Sequence, residues 1–202
     1  MKKLLAAALA ALMLAACALA EGESVQTAFE EYENSFAGLT EEVWEADVIE
    51  QIRMLAPEEG VNISVCLDAQ NVACATVEFL CGQVTDSVRA AIGNLGWLSE
   101  EALAQVFALE EDAQLEIEGC AVYRVHGENR DAISICRIEN AEDILWQPIH
   151  GGRKIHDTPR CSGMDVSRMI TVSAAMLTNW EDCGTCRAAD EAADAQSDEN
   201  RS

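Results

Sequence analysis

Four stretches of the chain alternate apolar and polar residues, which is the pattern of a β-strand with one buried face. They cover residues 61–67, 72–80, 114–126 and 130–138. In the first stretch the residues on the apolar face are Val61, Ile63, Val65 and Leu67. Because few residues separate the strands of each pair, the pattern predicts two antiparallel β-hairpins.

Two other stretches space their apolar residues as a helix does. Thr40 is suited to begin the first helix, since its side chain can cap free backbone amides and two glutamates follow it. Pro57 ends this helix, because proline disrupts a helix interior. The apolar residues between them at helical spacing are Val43, Trp44, Val48, Ile52 and Leu55. Residues 86–109 predict two more helices, the second of which Ser99 begins.

The order of helix, hairpin, helices and hairpin predicts an α+β domain over residues 40–143. Its expected core is an antiparallel four-stranded sheet built from the two hairpins, with the helices on one face. A smaller unit follows at residues 144–187, where Gly151-Gly152 predicts a hairpin turn and residues 172–178 a short helix. The chain therefore predicts one α+β domain followed by a small hairpin-helix module.

The two predicted hairpins carry cysteines on neighbouring strands. With three-residue loops that end in asparagine, Cys66 lies opposite Cys74, and Cys120 lies opposite Cys136. Directly opposed residues are close enough for a disulfide bond, so we predict the bridges Cys66–Cys74 and Cys120–Cys136. The alternative is two pairs of buried, reduced cysteines. A shift of one residue in either hairpin would remove the alignment.

The first twenty residues predict an export signal. Two lysines precede an apolar run over residues 4–16, which is too short to span a bilayer comfortably. Two processing routes stay open. Residues 18–20 fit a signal peptidase site, whereas Leu-Ala-Ala-Cys at 14–17 resembles a bacterial lipobox, in which Cys17 would be lipidated. Either route predicts an extracellular or cell-surface protein, which contacts a membrane only through a lipid anchor at Cys17.

The formal net charge of −23 narrows the set of expected partners. A polyanion is repelled by nucleic acid and by anionic lipid, so nucleic-acid binding is disfavoured. The acidic residues concentrate before residue 144 and after residue 187. This distribution predicts an acidic tether at residues 21–39 and a disordered acidic tail at residues 188–202. The expected partner is an unknown protein or a cell-envelope ligand.

The C-terminal module carries four residues that are suited to bind a metal ion. They are His156, Cys161, Cys183 and Cys186, spaced as His-x4-Cys, 21 residues, and Cys-x2-Cys. A Cys-x2-Cys turn directs two thiolates to one point, and the hairpin can supply the other two ligands. Because three sulfur ligands and one imidazole suit tetrahedral zinc, the spacing predicts a structural zinc site.

Residues 146–187 also resemble a segment at the end of many exported Gram-positive proteins. That segment reads Gly-x-x-Tyr-His, then Cys-Ser-Gly-Met, a Thr-led helix and Pro-Cys-x-x-Cys, and is similar to the small zinc-binding module of Ada-type DNA repair proteins. The matching residues are Gly152, His156, Cys161-Ser162-Gly163-Met164, Thr171, Cys183 and Cys186. The residues that depart from the pattern are Ile155, Asn179 and Asp182, where Tyr, Gly and Pro are usual.

The resemblance implies a structural, zinc-ribbon-like metal site. It does not carry over the reaction of Ada-type modules, in which a metal-bound cysteine accepts a methyl group from DNA phosphate. His156 occupies the position of that cysteine, which removes the obvious acceptor. The negative charge of the chain also removes the reason to approach DNA.

Two other interpretations of the C-terminal cysteines stay open. In the first, Cys183 and Cys186 form a thiol–disulfide redox pair. The neighbouring carboxylates of Glu181 and Asp182 oppose this role, because negative charge raises the pKa of a thiol.

In the second interpretation, the eight cysteines after Cys17 form four disulfides. Cys81–Cys161 and Cys183–Cys186 are examples of the additional bridges. A zinc site together with the two hairpin bridges would leave Cys81 without a partner, which is awkward for an exported protein and favours this view. The position of His156, together with Cys-Ser-Gly-Met, favours zinc.

The chain contains neither a Gly-rich phosphate loop nor a Gly-x-Ser-x-Gly motif, and we predict no catalytic residue. The resulting prediction is an exported, non-catalytic cell-surface protein or lipoprotein with a structural zinc-type module and a binding or scaffold role. The alternatives are an extracellular thiol–disulfide oxidoreductase that uses Cys183 and Cys186, and a disulfide-only secreted binding domain.

Overall fold

The computed structural model describes residues 26–36, 51–150, 152–161, 163–177 and 180–186. The expectations that fall outside these ranges are the signal at 1–20 with Cys17, most of the tether at 21–39, the start of the first helix at Thr40 and the tail at 188–202. Within the described ranges, no helix is both long enough and apolar enough to cross a bilayer.

One large antiparallel sheet dominates the described residues, and its strands run in the order β1-β2-β3-β6-β5-β4. These strands are β1 (Ile52–Glu58), β2 (Val61–Asp68), β3 (Asn71–Leu80), β4 (Ala113–Ile117), β5 (Cys120–His126) and β6 (Arg130–Arg137). The helices are α1 (Phe29–Asn34), α2 (Asp86–Gly93), α3 (Glu100–Phe107) and α4 (Val172–Met176), with a 3₁₀ helix at Ile138–Asp143. Two small sheets complete the fold: β7 (Ile144–Pro148) with β9 (Ser167–Thr171), and β8 (Lys154–Ile155) with β10 (Glu181–Asp182).

The predicted mixed fold with an antiparallel sheet is confirmed, but the sheet has six strands instead of four. One additional strand arises because residues 114–126 are two strands rather than one. Glu118 and Gly119 both have positive φ, +49° and +73°, which makes a tight two-residue turn between β4 and β5. The alternation continues on both sides of this turn, so the periodicity alone did not reveal it.

The other additional strand replaces the end of the predicted first helix. Ile52–Glu58 is an edge strand, and the register with β2 shifts between Leu55 and Glu58. Pro57 lies within this irregularity, where the missing N–H group is tolerated because an edge strand has one unpaired side. The buried residues Ile52 and Leu55 are three apart, which fits a helix and equally fits a strand with an irregular register. The helix prediction is therefore wrong at residues 52–58.

Helices α1, α2 and α3 pack on one face of the sheet. Thr85 and Ser99 cap α2 and α3 by accepting hydrogen bonds from the Val88 and Ala102 amides at 3.3 and 3.2 Å. The hydroxyl of Tyr32 in α1 donates to the Ala91 carbonyl oxygen in α2 at 2.6 Å. The largest fully buried residues of this core are Tyr32, Phe79, Ile63, Ile92, Leu95, Ile133 and Ile135.

The opposite face of the sheet is covered by the C-terminal segment, which comprises the described residues from Ile144 onward. Trp146 of β7 and Met169 and Ile170 of β9 form a second core with residues of the large sheet. The Met169 amide donates to the hydroxyl of Thr76 in β3 at 3.0 Å, which joins the two layers by a buried hydrogen bond. Both faces of the central strands are therefore buried, and the sheet is the middle layer of the fold.

The cysteine alignment of the first hairpin is as predicted. Cys66 lies opposite Cys74, although a register shift after Cys66 shortens the loop to Ala69 and Gln70. Ala69 adopts φ +53° to close this shorter turn. All the described cysteines are reduced in the structure, so a bridge between these two stays a prediction.

The predicted register of the second hairpin is wrong by one residue. Cys120 lies opposite Arg137, and Cys136 lies opposite Ala121. Because neighbouring residues of a strand point to opposite faces, Cys120 joins the helix-side core and Cys136 joins the core under the C-terminal segment. The Cys120–Cys136 bridge therefore does not fit this sheet.

We expect Gly119→Ala to lower the free energy of unfolding by about 1 kcal/mol, since left-handed φ is strained for alanine. An added Cβ at Gly119 would meet no atom within 4 Å, so backbone strain is the whole effect. Urea unfolding of both proteins measures the difference. The control Gln114→Ala, at an exposed position of β4, is expected to change stability little. An unchanged midpoint for Gly119→Ala would contradict the two-residue turn.

Candidate metal centre

The structure brings the four predicted ligand residues together. The ligand atoms of His156, Cys161, Cys183 and Cys186 all lie within 4.8 Å of one another, so the cluster could hold one metal ion. Cys161 Sγ lies 3.4 Å from Cys186 Sγ and 3.7 Å from Cys183 Sγ. His156 Nδ1 lies 3.9 Å from Cys186 Sγ.

These separations match four ligands around a single tetrahedral ion. With metal–sulfur bonds of about 2.3 Å, two sulfurs of a tetrahedron lie about 3.8 Å apart. A disulfide would need a sulfur–sulfur distance of about 2.0 Å. The cluster therefore has the dimensions of a metal site.

Two short strands position the first and third ligands. His156 exchanges both backbone hydrogen bonds with Trp146 of β7, each 2.8 Å long. Strand β10 runs parallel to β8, and the Cys183 amide donates to the Ile155 carbonyl oxygen at 2.8 Å. His156 and Cys183 thus directly follow two paired strands, and β7 connects His156 to the large sheet.

The loop before Cys161 is held by side-chain hydrogen bonds. The Ser167 hydroxyl donates to the Pro159 carbonyl oxygen at 2.8 Å, and Arg160 Nε donates to Asp112 Oδ2 at 2.7 Å. The Met164 amide donates to the Cys161 carbonyl oxygen at 3.0 Å, which closes a turn that needs φ +78° at Gly163. This turn explains the glycine of the Cys-Ser-Gly-Met motif. Ser162 lies outside the described residues.

The Cys-x2-Cys segment favours a thiolate at Cys183. The backbone amides of Cys186 and Thr185 donate to the Cys183 sulfur and lower its pKa to about 6, although burial opposes this shift. Burial raises the pKa of Cys186 to about 12. The expectation that neighbouring carboxylates would raise the pKa of Cys183 is wrong, because the amides contact its sulfur directly. A thiolate is the form that binds metal or attacks a disulfide.

The exposure of the cluster bears on which of these two roles it suits. His156, Cys183 and Cys186 are only 4%, 3% and 8% exposed, whereas Cys161 is partly exposed. A redox pair needs an accessible attacking sulfur, and the low exposure of Cys183 disfavours that role. Asn179, expected to end the preceding helix, lies outside the described residues.

A second cluster of charged residues was not predicted. The Asp131 carboxylate is completely buried, receives hydrogen bonds from Arg124 Nη2 at 3.0 Å and from the Gly82 amide at 3.3 Å, and lies 2.9 Å from His126 Nδ1. The exposed Cys81 thiol donates to it at 3.4 Å. No signal in the local sequence identified the buried carboxylate, since its partners come from β5 and from the loop that follows β3.

A comparison of the chain with models of protein families, with curated proteins and with solved structures found no match.

Proposed function

We propose that this is an exported, non-catalytic protein in which His156, Cys161, Cys183 and Cys186 hold one structural zinc ion. The observation that carries the proposal is the convergence of these four ligand atoms within 4.8 Å. The role that fits such a protein is binding or scaffolding at the cell surface. The partner would be a protein or a cell-envelope ligand, because the strong negative charge disfavours nucleic acid.

The chemistry of the donor set supports zinc among the common metals. Three cysteine sulfurs and one imidazole nitrogen are soft or intermediate ligands, whereas calcium and magnesium require oxygen ligands. The resemblance of residues 146–187 to Ada-like modules points to the same metal.

The coordination number supports a structural role for the ion. Four protein ligands fill a tetrahedral shell, so no position is left for a substrate or an activated water. Three of the four ligands are also buried, which limits exchange of the ion with solvent. The proposed site thus joins β8, β10 and the loop at Cys161 and performs no reaction.

Metal content of the purified protein tests the site. We expect one zinc ion per chain by native mass spectrometry of protein from the producing cells, and loss of zinc in His156→Ala and in Cys161→Ser. Cys81→Ser is the matched control, since Cys81 is an exposed cysteine outside the cluster. Four disulfides and no metal would overturn the zinc site.

The mass of the native protein also tests export, and a separate assay of insulin reduction tests the alternative activity. A mass increment at Cys17 would show lipidation, and a chain that begins at Glu21 would show ordinary cleavage. We expect no reduction of insulin disulfides by the protein. Reduction that disappears in Cys183→Ser would instead support an oxidoreductase that uses Cys183 and Cys186.

A further inference from the structure

Three buried cysteines form a row across the centre of the large sheet. Cys66 in β2 lies opposite Cys74 in β3, and Cys74 lies opposite Cys136 in β6. Their exposed fractions are 1%, 0% and 0%, and all three face the C-terminal segment. Cys74 can therefore form a disulfide with one of two neighbours. The backbone hydrogen bonding of each pair determines which neighbour is the closer one.

Antiparallel strands alternate between hydrogen-bonded and non-hydrogen-bonded pairs of residues. The Leu67 amide donates to the Gln51 carbonyl oxygen at 2.7 Å, toward β1. Because successive amides of a strand point to opposite sides, Cys66 directs its own backbone groups toward β3. Cys66 and Cys74 thus form a hydrogen-bonded pair.

The pairing of Cys74 with Cys136 is of the other type. The Cys81 amide donates to the Asn129 carbonyl oxygen at 3.2 Å. The backbone N–H and C=O groups of the odd-numbered residues in β3 therefore point toward β6, and those of Cys74 point away from it. From the other strand, the Ile138 amide donates to the Gly119 carbonyl oxygen at 2.9 Å. The backbone N–H and C=O groups of the even-numbered residues in β6, including those of Cys136, therefore point toward β5. Both strands place Cys74 and Cys136 in a non-hydrogen-bonded pair.

The two types of pair differ in the distance between side chains. Opposed Cβ atoms lie about 4.5 to 5.5 Å apart, and they are closer in non-hydrogen-bonded pairs. A disulfide needs a Cβ–Cβ distance of about 3.5 to 4.5 Å. In the reduced structure the Cys66 and Cys74 thiols are hydrogen-bonded to each other. The shorter Cβ separation of a non-hydrogen-bonded pair nevertheless makes Cys74 and Cys136 the better-suited pair for a disulfide.

We propose that Cys74 and Cys136 form a disulfide bond that cross-links β3 to β6, while Cys66 stays reduced. This bond would join the two halves of the sheet, β1-β2-β3 and β6-β5-β4, at their shared boundary. It replaces the predicted bridge between Cys66 and Cys74, since Cys74 can serve only one partner.

The oxidation is a thiol–disulfide exchange with a small disulfide such as oxidised glutathione. Two thiols lose two protons and two electrons to form one sulfur–sulfur bond, and the oxidant is reduced to two thiols. Because the finished core excludes solvent from all three sulfurs, the bond forms before the C-terminal segment covers the sheet.

Release of Cys136 from the proposed bond is disfavoured. Burial raises the pKa of the Cys136 thiol to about 12. An attack of Cys66 on the Cys74 sulfur would expel Cys136 as a thiolate, and a thiol with a raised pKa is a poor leaving group.

Disulfide mapping of the full chain, refolded with zinc in a glutathione redox buffer, tests the proposal. Free thiols are alkylated in denaturant, and cleavage before Asp68 and after Glu78 separates Cys66, Cys74 and Cys81 onto different peptides. We expect a linked pair of peptides that contain Cys74 and Cys136, with Cys66 alkylated.

Two variants test which cysteine is the partner of Cys74. Cys66→Ser is expected to keep the cross-link in full, and Cys136→Ser is expected to lose it. A link between Cys66 and Cys74 in the wild-type protein would overturn the proposal. Recovery of all three cysteines as alkylated thiols would overturn it as well.

Discussion

Removal of the proposed zinc ion by a chelator will loosen residues 152–161 and 180–186 and leave the six-stranded sheet protected from hydrogen exchange. Strands β8 and β10 contain two residues each and pair with each other in a separate two-stranded sheet. The ion is therefore expected to supply most of the local stability there. Residues 144–148 and 167–177 behave differently, because they share the second core with the sheet.

The expected size of this effect follows from linkage. A ligand at about 100 times its dissociation constant stabilises the state that binds it by about 2.7 kcal/mol. Amide hydrogen exchange at residues 154–156 and 181–183 should accelerate by about a hundredfold when zinc is removed. Mass spectrometry of peptides from the exchanged protein measures these rates. Amides of β3 and β6 should keep their rates.

Variant proteins separate metal loss from other effects of the chelator. Cys186→Ser without chelator should show the exchange pattern of the chelated wild-type protein, and chelator should then change nothing further. Cys81→Ser should respond to chelator as the wild-type protein does. Equal acceleration across β2, β3 and β6 would mean that the ion holds the whole fold together, contrary to the layered arrangement described above.

The ligand set could be predicted from the sequence because its signals are local. Cys183 and Cys186 belong to one turn, and Cys161 is followed at Gly163 by a glycine with positive φ that its turn requires. The contacts that fix the site could not be predicted in this way. Trp146 pairs with His156, and Asp112 holds Arg160, through contacts that depend on the complete fold.

The fold was predicted where one face of a strand is buried by its own hairpin or by a helix. It was missed where a distant segment supplies the burial. Glu78 occupies a strand position that the pattern assigns to solvent, yet it is 1% exposed. Glu78 is buried on the face that the C-terminal segment covers, where it contacts Asn62, Arg130 and His150. Alternation records which residues share a face, but it does not record whether the polar face is covered too.

Replacement of Asp131 by alanine will lower the free energy of unfolding by about 3 to 5 kcal/mol, the usual cost of a buried charge that loses its partner. Arg124 is 4% exposed and donates from Nη2 to Asp131, whereas its Nε and Nη1 atoms have no hydrogen-bond partner among the described residues. Contact with the Phe79 ring, 5.3 Å from the guanidinium carbon, does not neutralise the charge. Urea unfolding at pH 7 measures the loss.

A double replacement separates the ion pair from packing. Arg124→Leu with Asp131→Leu removes both charges, so it should cost less than Asp131→Ala alone, because no unpaired buried charge remains. Asp131→Asn should fall between the wild-type protein and Asp131→Ala, since an amide retains one hydrogen-bond acceptor. A double variant that is less stable than Asp131→Ala would show that the guanidinium contributes mainly through packing.

The stability that Asp131 contributes should also depend on pH in one direction. Burial alone would raise the pKa of this carboxyl, but the Gly82 amide, the Cys81 thiol and the charges of His126 and Arg124 together lower it. A group whose pKa is lower in the folded state stabilises the fold above its unfolded pKa of about 3.9, and this contribution is lost as pH falls through the folded value. The difference in unfolding free energy between wild-type protein and Asp131→Ala should therefore shrink as the pH falls below about 4. A difference that grows below about pH 4 would mean that the neutral carboxyl, rather than the carboxylate, is the stabilising form.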